Sequence, residues 1–133
     1  MVVKEINYKE TSYFSSLFCD YMNNDPKLKR FYNLYPSIEN FKNQIDQKKL
    51  EYKHQNREIL YNVIKQQYKG VNCSNEFKSM LESIKKNNTF TITTGHQLNL
   101  FTGPIYFLYK IFTTINLCDE LTQKYPKFNF IPV

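Results

Sequence analysis

The chain has 133 residues, about one domain's worth, and is 41% hydrophobic, 23% charged and 17% aromatic. That composition is globular and too apolar for a disordered chain, while no run approaches the roughly eighteen apolar residues of a membrane span. The net charge of +6 comes from 18 basic residues, 16 of them Lys, interspersed with 12 acids, a pattern of solvated helix surfaces rather than of the clustered, Arg-rich face of a nucleic-acid binder.

The opening Met1-Val2-Val3-Lys4-Glu5-Ile6 mixes charge into its apolar residues and has no signal-peptide core, so a soluble, cytoplasmic protein without membrane partners is expected. Cys19, Cys73 and Cys118 are odd in number and far apart. They suggest neither a disulfide framework nor a zinc site, and reduced, mostly buried thiols are the plain reading.

The first two thirds read as helical. Thr11 or Ser12 can cap a helix with Phe14, Leu17, Phe18 and Tyr21 on one stripe. Asp25-Pro26 pairs an N-cap with a helix-opening Pro, leading an aromatic-rich turn through Phe31, Tyr32 and Tyr35. Pro36-Ser37 opens a helix carrying Phe41 and Ile45. Asn56 is the expected cap of the next, whose apolar positions are Ile59, Leu60, Val63, Ile64 and Tyr68, with Gly70 at its C-terminal end. Ser74 begins a further helix bearing Phe77, Met80, Leu81 and Ile84, and Lys85-Lys86 suits its negative end.

After Asn88 the texture changes. Thr89-Phe90-Thr91-Ile92-Thr93-Thr94 alternates and is β-branched, which predicts a strand. A loop with two of the chain's three glycines, Gly95 and Gly103, leads to Pro104. Pro104 opens a helix with Ile105, Leu108, Ile111, Phe112, Ile115 and Cys118 on one side and Phe107 and Leu117 elsewhere, a breadth that implies cover on more than one side. Phe128-Asn129-Phe130-Ile131-Pro132-Val133 reads as a second strand. Strand, loop, helix, strand is a βαβ unit.

The expected class is therefore α/β, with an N-terminal helical region over 1–88 and the start of a parallel sheet over 89–133. Charge divides with it: 15 basic and 10 acidic residues precede position 89, against 3 and 2 after it. Two parallel strands are too few to stand alone. The expectation is thus a truncated front part of a larger α/β protein, the other reading being a small finished α+β domain.

The residues able to carry chemistry lie between Thr93 and Lys110. Ligands of open α/β sheets bind past the carboxyl ends of strands, where Thr94, Gly95, His96 and Gln97 fall. A helix starting at Pro104 would aim free N–H groups at the same mouth, a ready site for phosphate or carboxylate. Gly95 and Gly103 would let backbone approach a ligand. His96 can donate to an anion or move a proton, Gln97 and Asn99 can orient polar groups, and Lys110 reaches the mouth only if its stem folds back. Each has a bland reading too. The glycines match neither G-x-G-x-x-G nor the P-loop, His96 can be a buried residue satisfied by a carbonyl, and Gln97 and Asn99 can simply cap turns. Tyr106 and Tyr109 suit packing, and His54 suits solvent. No metal cluster, paired carboxylates or nucleophile-base pair is visible.

The run from Thr89 to Ile111, with Thr94-Gly95-His96-Gln97 and Thr102-Gly103-Pro104 at its heart, resembles the signature of the bacillithiol biosynthesis cysteine-adding enzymes, the BshC cysteine ligases. Tyr13-Phe14-Ser15, Phe31-Tyr32-Asn33, Asn40-Phe41, Thr114-Ile115-Asn116-Leu117 and the ending Asn129-Phe130-Ile131-Pro132-Val133 fit as well. The resemblance implies a Rossmann-like core of nucleotidylyltransferase type, with connective helices and a C-terminal coiled coil in the full-length protein. It implies joining of L-cysteine to glucosaminyl-malate in the cytoplasm, leaves a nucleotide (ATP or ADP) and a homodimer open, and makes the chain by itself inactive. His96 and the Gly103-Pro104 helix start match the superfamily's phosphate-binding location, though not its H-x-G-H spelling. The rival expectations are a non-enzymatic helical protein-interaction domain and, with little support from dispersed Lys, a nucleic-acid binder.

Overall fold

A computed structural model describes residues 3–101 and 103–133, so Thr102 of the motif lies outside the described residues. By packing, the chain divides into two compact units, one ending at Gln44 and the other beginning at Ile45.

In the first unit a 3-10 helix at Tyr8–Thr11 precedes α1 (Ser16–Met22). The cap of α1 is Ser15, which accepts from the Phe18 N–H at 3.2 Å, not Thr11 or Ser12. Thr11 instead closes the earlier turn, donating its hydroxyl to the Tyr8 carbonyl at 2.8 Å, and Ser12 takes a left-handed φ of 58° that ends it. Tyr8, Phe14 and Phe18 then cluster ring against ring. Asp25 accepts from the Lys27 N–H at 2.9 Å and opens a 3-10 helix at Pro26–Phe31, as the Asp-Pro pair predicts. Tyr21, Tyr32 and Tyr35 pack together beyond it. Helix α2 (Phe41–Glu51) begins later than Pro36-Ser37 predicts, because Ser37 first closes a turn with the Asn40 N–H at 3.1 Å.

The second unit contains the rest of α2, where Ile45 is buried, then α3 (His54–Gln67) and α4 (Asn75–Ser83). Ser74 caps α4 through the Phe77 N–H at 3.2 Å, as expected. Lys53, not Asn56, occupies the cap position of α3 and makes no side-chain bond. Gly70 takes a φ of +87° in the turn after α3, the conformation a glycine there supplies at least cost.

The expected stripe of α3 turns only partly inward, with Leu60 and Ile64 half-buried. Ile59 and Val63 are exposed, whereas Arg57 and Tyr61 are buried. The Arg57 Nη1 donates to the carbonyls of Ile84 at 3.1 Å and Thr89 at 2.8 Å. One cation thus ties α3 to the end of α4 and the start of the first strand. Its guanidinium carbon lies 5.4 Å from the Tyr52 ring centre and 5.8 Å from that of Phe90. Burial lowers the Arg57 pKa, with Tyr52 opposing. Nearby, the Tyr61 hydroxyl donates to Glu82, whose other oxygen meets the Lys85 ammonium at 2.5 Å. Hydrogen bonds from Lys85 and then Tyr61 hold the Glu82 carboxyl below the usual range, and Glu82 in turn raises Lys85.

Strands β1 (Thr89–Ile92) and β2 (Asn129–Pro132) pair in parallel, Thr89 opposite Asn129 and Ile92 opposite Pro132. The ladder runs on past both ends, with the Val133 N–H on the Ile92 carbonyl at 2.9 Å and the Thr94 N–H on the Val133 carbonyl at 2.8 Å. Helix α5 (Ile105–Lys124) joins them and packs against both, most closely β2. This is the expected βαβ unit, a small parallel sheet within a largely helical chain.

The face of α5 turned inward differs from the expected stripe. Thr114, Cys118 and Leu121 are buried, with Phe107, Ile111 and Leu117 half-buried, while Ile105, Leu108, Phe112 and Ile115 are exposed. A buried Thr114 is tolerated because its hydroxyl donates to the Lys110 carbonyl one turn back, at 2.8 Å. The three cysteines are free thiols. No helix among the described residues is long and apolar enough to cross a membrane.

Three outcomes are expected. Replacing Arg57 by Met leaves two carbonyls without their charged donor and lowers stability by on the order of 2–3 kcal/mol in urea unfolding. Glu82→Gln removes stability that is full above the unfolded carboxyl pKa of about 4.3 and fades as pH falls through the lower folded value. Melting curves of the two proteins should therefore differ near pH 7 and converge in acid. Burial, aided by Asp119, pushes the Cys118 thiol up to about 11. A disulfide reagent at mildly alkaline pH should consume half-buried Cys73 first and reach Cys118 only on unfolding.

Candidate functional site

Because the strands are parallel, the end of β1 and the start of α5 lie at the same edge of the unit, joined by residues 93–104. The structure places Thr94, Gly95, His96, Gln97, Asn99, Gly103, Pro104 and Lys110 at this edge. They play unequal parts.

Thr94 is half-buried and held by its backbone in the extended ladder. His96 is half-buried rather than enclosed in a dry core. Its ring lies 5.1 Å from those of Tyr106 and Phe107, in the first turn of α5. Tyr106, expected to pack, does so against the histidine itself. The His96 Nδ1 is 2.8 Å from the Gln97 carbonyl oxygen and 2.6 Å from the Asn99 Nδ2, which donates to that carbonyl at 2.8 Å. Gln97 thus contributes its backbone to the cluster while its side chain is exposed.

Lys110 does fold back. Its ammonium donates to the Gly95 carbonyl at 3.2 Å and lies 5.7 Å from the Tyr106 ring centre. The contact fastens the loop's first residues to the second turn of α5 and keeps a cation at the edge.

The two glycines are not equivalent. A Cβ at Gly95 would meet nothing within 4 Å, so the local packing does not demand glycine there. Gly103 has a φ of +64°, and a Cβ on it would lie 2.7 Å from the Asn99 Cγ. Glycine is therefore what lets the Asn99 side chain lie across the loop's end. Pro104 is the N-cap of α5 rather than its first residue, and among the described residues no side-chain cap bond is made. Proline's extended φ,ψ of −71° and 152° turns the chain into the helix, and its ring offers the first N–H groups of α5 no acceptor. With the aligned peptide dipoles, this edge favours an anion.

Leu98, Leu100 and Phe101 are almost fully exposed on the loop. His54 faces solvent near Glu58, as expected. Among the described residues, no group of His, Cys, Asp or Glu side chains converges to hold a metal ion.

With this arrangement in view, the comparisons are specific. The family model described as "Bacillithiol biosynthesis BshC, N-terminal Rossmann-like domain" matches residues 1–133. The chain belongs to the BshC family. It is 50% identical to a protein of Flavobacterium psychrophilum over 129 residues, 96% of this chain and 24% of that relative. A protein of Cytophaga hutchinsonii is 34% identical over 131 residues, covering 98% of this chain and 25% of its own length. Both are named "Putative cysteine ligase BshC". The chain spans about a quarter of the length of these curated BshC relatives. No solved structure matches it. Within the BshC family the expected Rossmann-like architecture has its counterpart here in the parallel β1–α5–β2 unit.

Sequence reasoning missed Arg57, although it is one of only two arginines and stands four residues before the buried Tyr61. It also gave Gly95 and Gly103 one role, where only the second is sterically required.

Gly103→Ala should destabilise the protein by about 1–2 kcal/mol through its left-handed backbone and displace Asn99. Faster hydrogen exchange confined to the loop amides would register it. Gly95→Ala should leave both stability and exchange close to wild type.

Proposed function

We propose that this protein is an amide-forming ligase of bacillithiol biosynthesis, joining the carboxyl of L-cysteine to the amine of glucosaminyl-malate in the cytoplasm. Family membership supports the ligase class over a non-enzymatic interaction domain. The observation that carries the site is the position of His96, seated on the first turn of α5 beside the proline-led helix start and the segment that the Lys110 ammonium holds.

All of these groups favour an anion. The malate carboxylates, or the activated carboxyl of cysteine, would be held by the first N–H groups of α5 and by His96, with Lys110 adding charge at the same edge. Such donors stabilise negative charge as it develops on the carboxyl oxygen during amine attack, because they are already oriented before it forms. Gln97 and Asn99 would orient the acceptor, Asn99 chiefly through its hold on the loop.

A nucleotide, which the likeness to nucleotidylyltransferases implies, would set a phosphate on the same N–H groups. The proline-led helix start and Gly103 beside it fit that use. Its chemistry would be activation of a carboxyl group; the chain's own residues would bind and orient.

In the whole protein, His96→Ala should lower formation of the cysteine adduct of glucosaminyl-malate about a hundredfold, the size of a lost acid or oxyanion contact. Product would be quantified by mass spectrometry after a fixed time with both substrates. Wild-type product levels would remove His96 from the mechanism.

A further inference from the structure

We infer that Tyr106 is a positioning residue. With Lys110, one helical turn further on, it clamps Gly95-His96 against α5, so that the His96 ring and the Lys110 ammonium address one anion. This rests on the anion-binding role proposed for that edge and names what assembles it.

Residues four apart on a helix share a face, and helical side chains lean toward the helix start. Tyr106 and Lys110 are such a pair near the start of α5, so both reach back toward the end of β1. There they meet consecutive residues of the loop. The Lys110 ammonium donates to the Gly95 carbonyl at 3.2 Å. The Tyr106 ring lies 5.1 Å from the His96 ring, at a tilt of 47°. The two helical side chains also meet each other, with the ammonium 5.7 Å from the Tyr106 ring centre. A circuit is closed: Gly95 to His96 through the chain, His96 to Tyr106, Tyr106 to Lys110, and Lys110 back to Gly95.

Each link is weak alone. Fixing an exposed lysine costs the rotamer freedom of a long side chain, and a cation over an exposed ring contributes little. Joined, the links restrain the imidazole and the ammonium together before substrate arrives. A preorganised pair of groups binds an anion at less entropic cost than two that must first be ordered.

Phe107 is the useful contrast. Its ring is as near to His96, at 5.1 Å, but it is half-buried, and burial explains an aromatic residue there. Tyr106 keeps 51% of its surface exposed, so burial explains much less of it. What its ring touches is His96 and Lys110. Both contacts are made by the ring, so phenylalanine would serve at this position and an aliphatic residue would not.

The test uses selectively labelled whole protein and the ligation assay. Nuclear Overhauser contacts should join the Tyr106 ring to the His96 ring protons and to the Lys110 ε-methylene. Tyr106→Leu keeps apolar bulk without a ring, and Tyr106→Met serves as a second ringless variant. Both should shift the His96 ring signals and the Gly95 and His96 amides, and Tyr106→Phe should restore them. Without the ring, kcat/KM for glucosaminyl-malate should fall about fivefold, the size of a lost ring–ring and cation–ring pair, with Tyr106→Phe within about twofold of wild type. Placed in His96→Ala, the ringless variants should cost little further, because the group they misplace is gone. A purely structural role would cost the same in both backgrounds. Absent ring contacts, wild-type kcat/KM in the ringless variants, an equal loss in Tyr106→Phe, or full additivity with His96→Ala would each overturn the inference. Wild-type activity in His96→Ala would instead overturn the role proposed for that histidine. The two failures are separable, because the contacts and signals of the free protein do not depend on turnover.

Discussion

Two parallel strands cannot be joined by a tight turn; the chain must cross back over the sheet before it can pair again. That constraint organises the second unit. Pairing Thr89–Ile92 with Asn129–Pro132 obliges α5 to run the length of the pair in the opposite sense. The carboxyl end of β1 and the amino end of α5 therefore meet at one edge, whatever the loop between them contains. His96 and Lys110, fourteen residues apart in sequence, become neighbours of the same short segment because of it.

The opposite end of the sheet is held differently. There the backbone leaves α4 and enters β1, and two carbonyls along this path, Ile84 and Thr89, accept from Arg57. Burying a cation is costly unless its hydrogen bonds are made, and here the carbonyls and the nearby rings of Tyr52 and Phe90 offset part of that cost. The Tyr61–Glu82–Lys85 group ties the same two helices together at the surface. One end of β1 is thus anchored by helices, which leaves the other free to carry a loop whose conformation is set by its own side chains.

Much of this was legible in the sequence, and the failures have physical causes. The βαβ order, the Asp25-Pro26 and Ser74 starts and the turn at Gly70 follow from local chemistry that tertiary packing has no reason to override. Helix starts failed where several capping residues compete: Thr11, Ser12 and Ser15 are all competent, and the left-handed Ser12 decides for Ser15. The inward face of α5 failed because the helix is apolar on two sides. A threonine that satisfies its own hydroxyl can then sit inward while Phe112 sits outward. Arg57 was illegible because a stripe of hydropathy cannot show a cation whose partners are backbone carbonyls many residues away. At the candidate site, residue types pointed to the segment between β1 and α5. Which atoms meet (the Gln97 carbonyl, the Asn99 amide and the His96 Nδ1) depended on a backbone path that spacing does not encode.

The proposed site requires an anionic group to be held where β1 ends and α5 begins. Titration of the whole protein with glucosaminyl-malate, followed by nuclear magnetic resonance, examines this most directly. Saturable shifts of the His96 ring and of the first backbone amides of α5, weakened in Lys110→Ala, are the predicted result. Saturable binding that leaves that edge unmoved would contradict it.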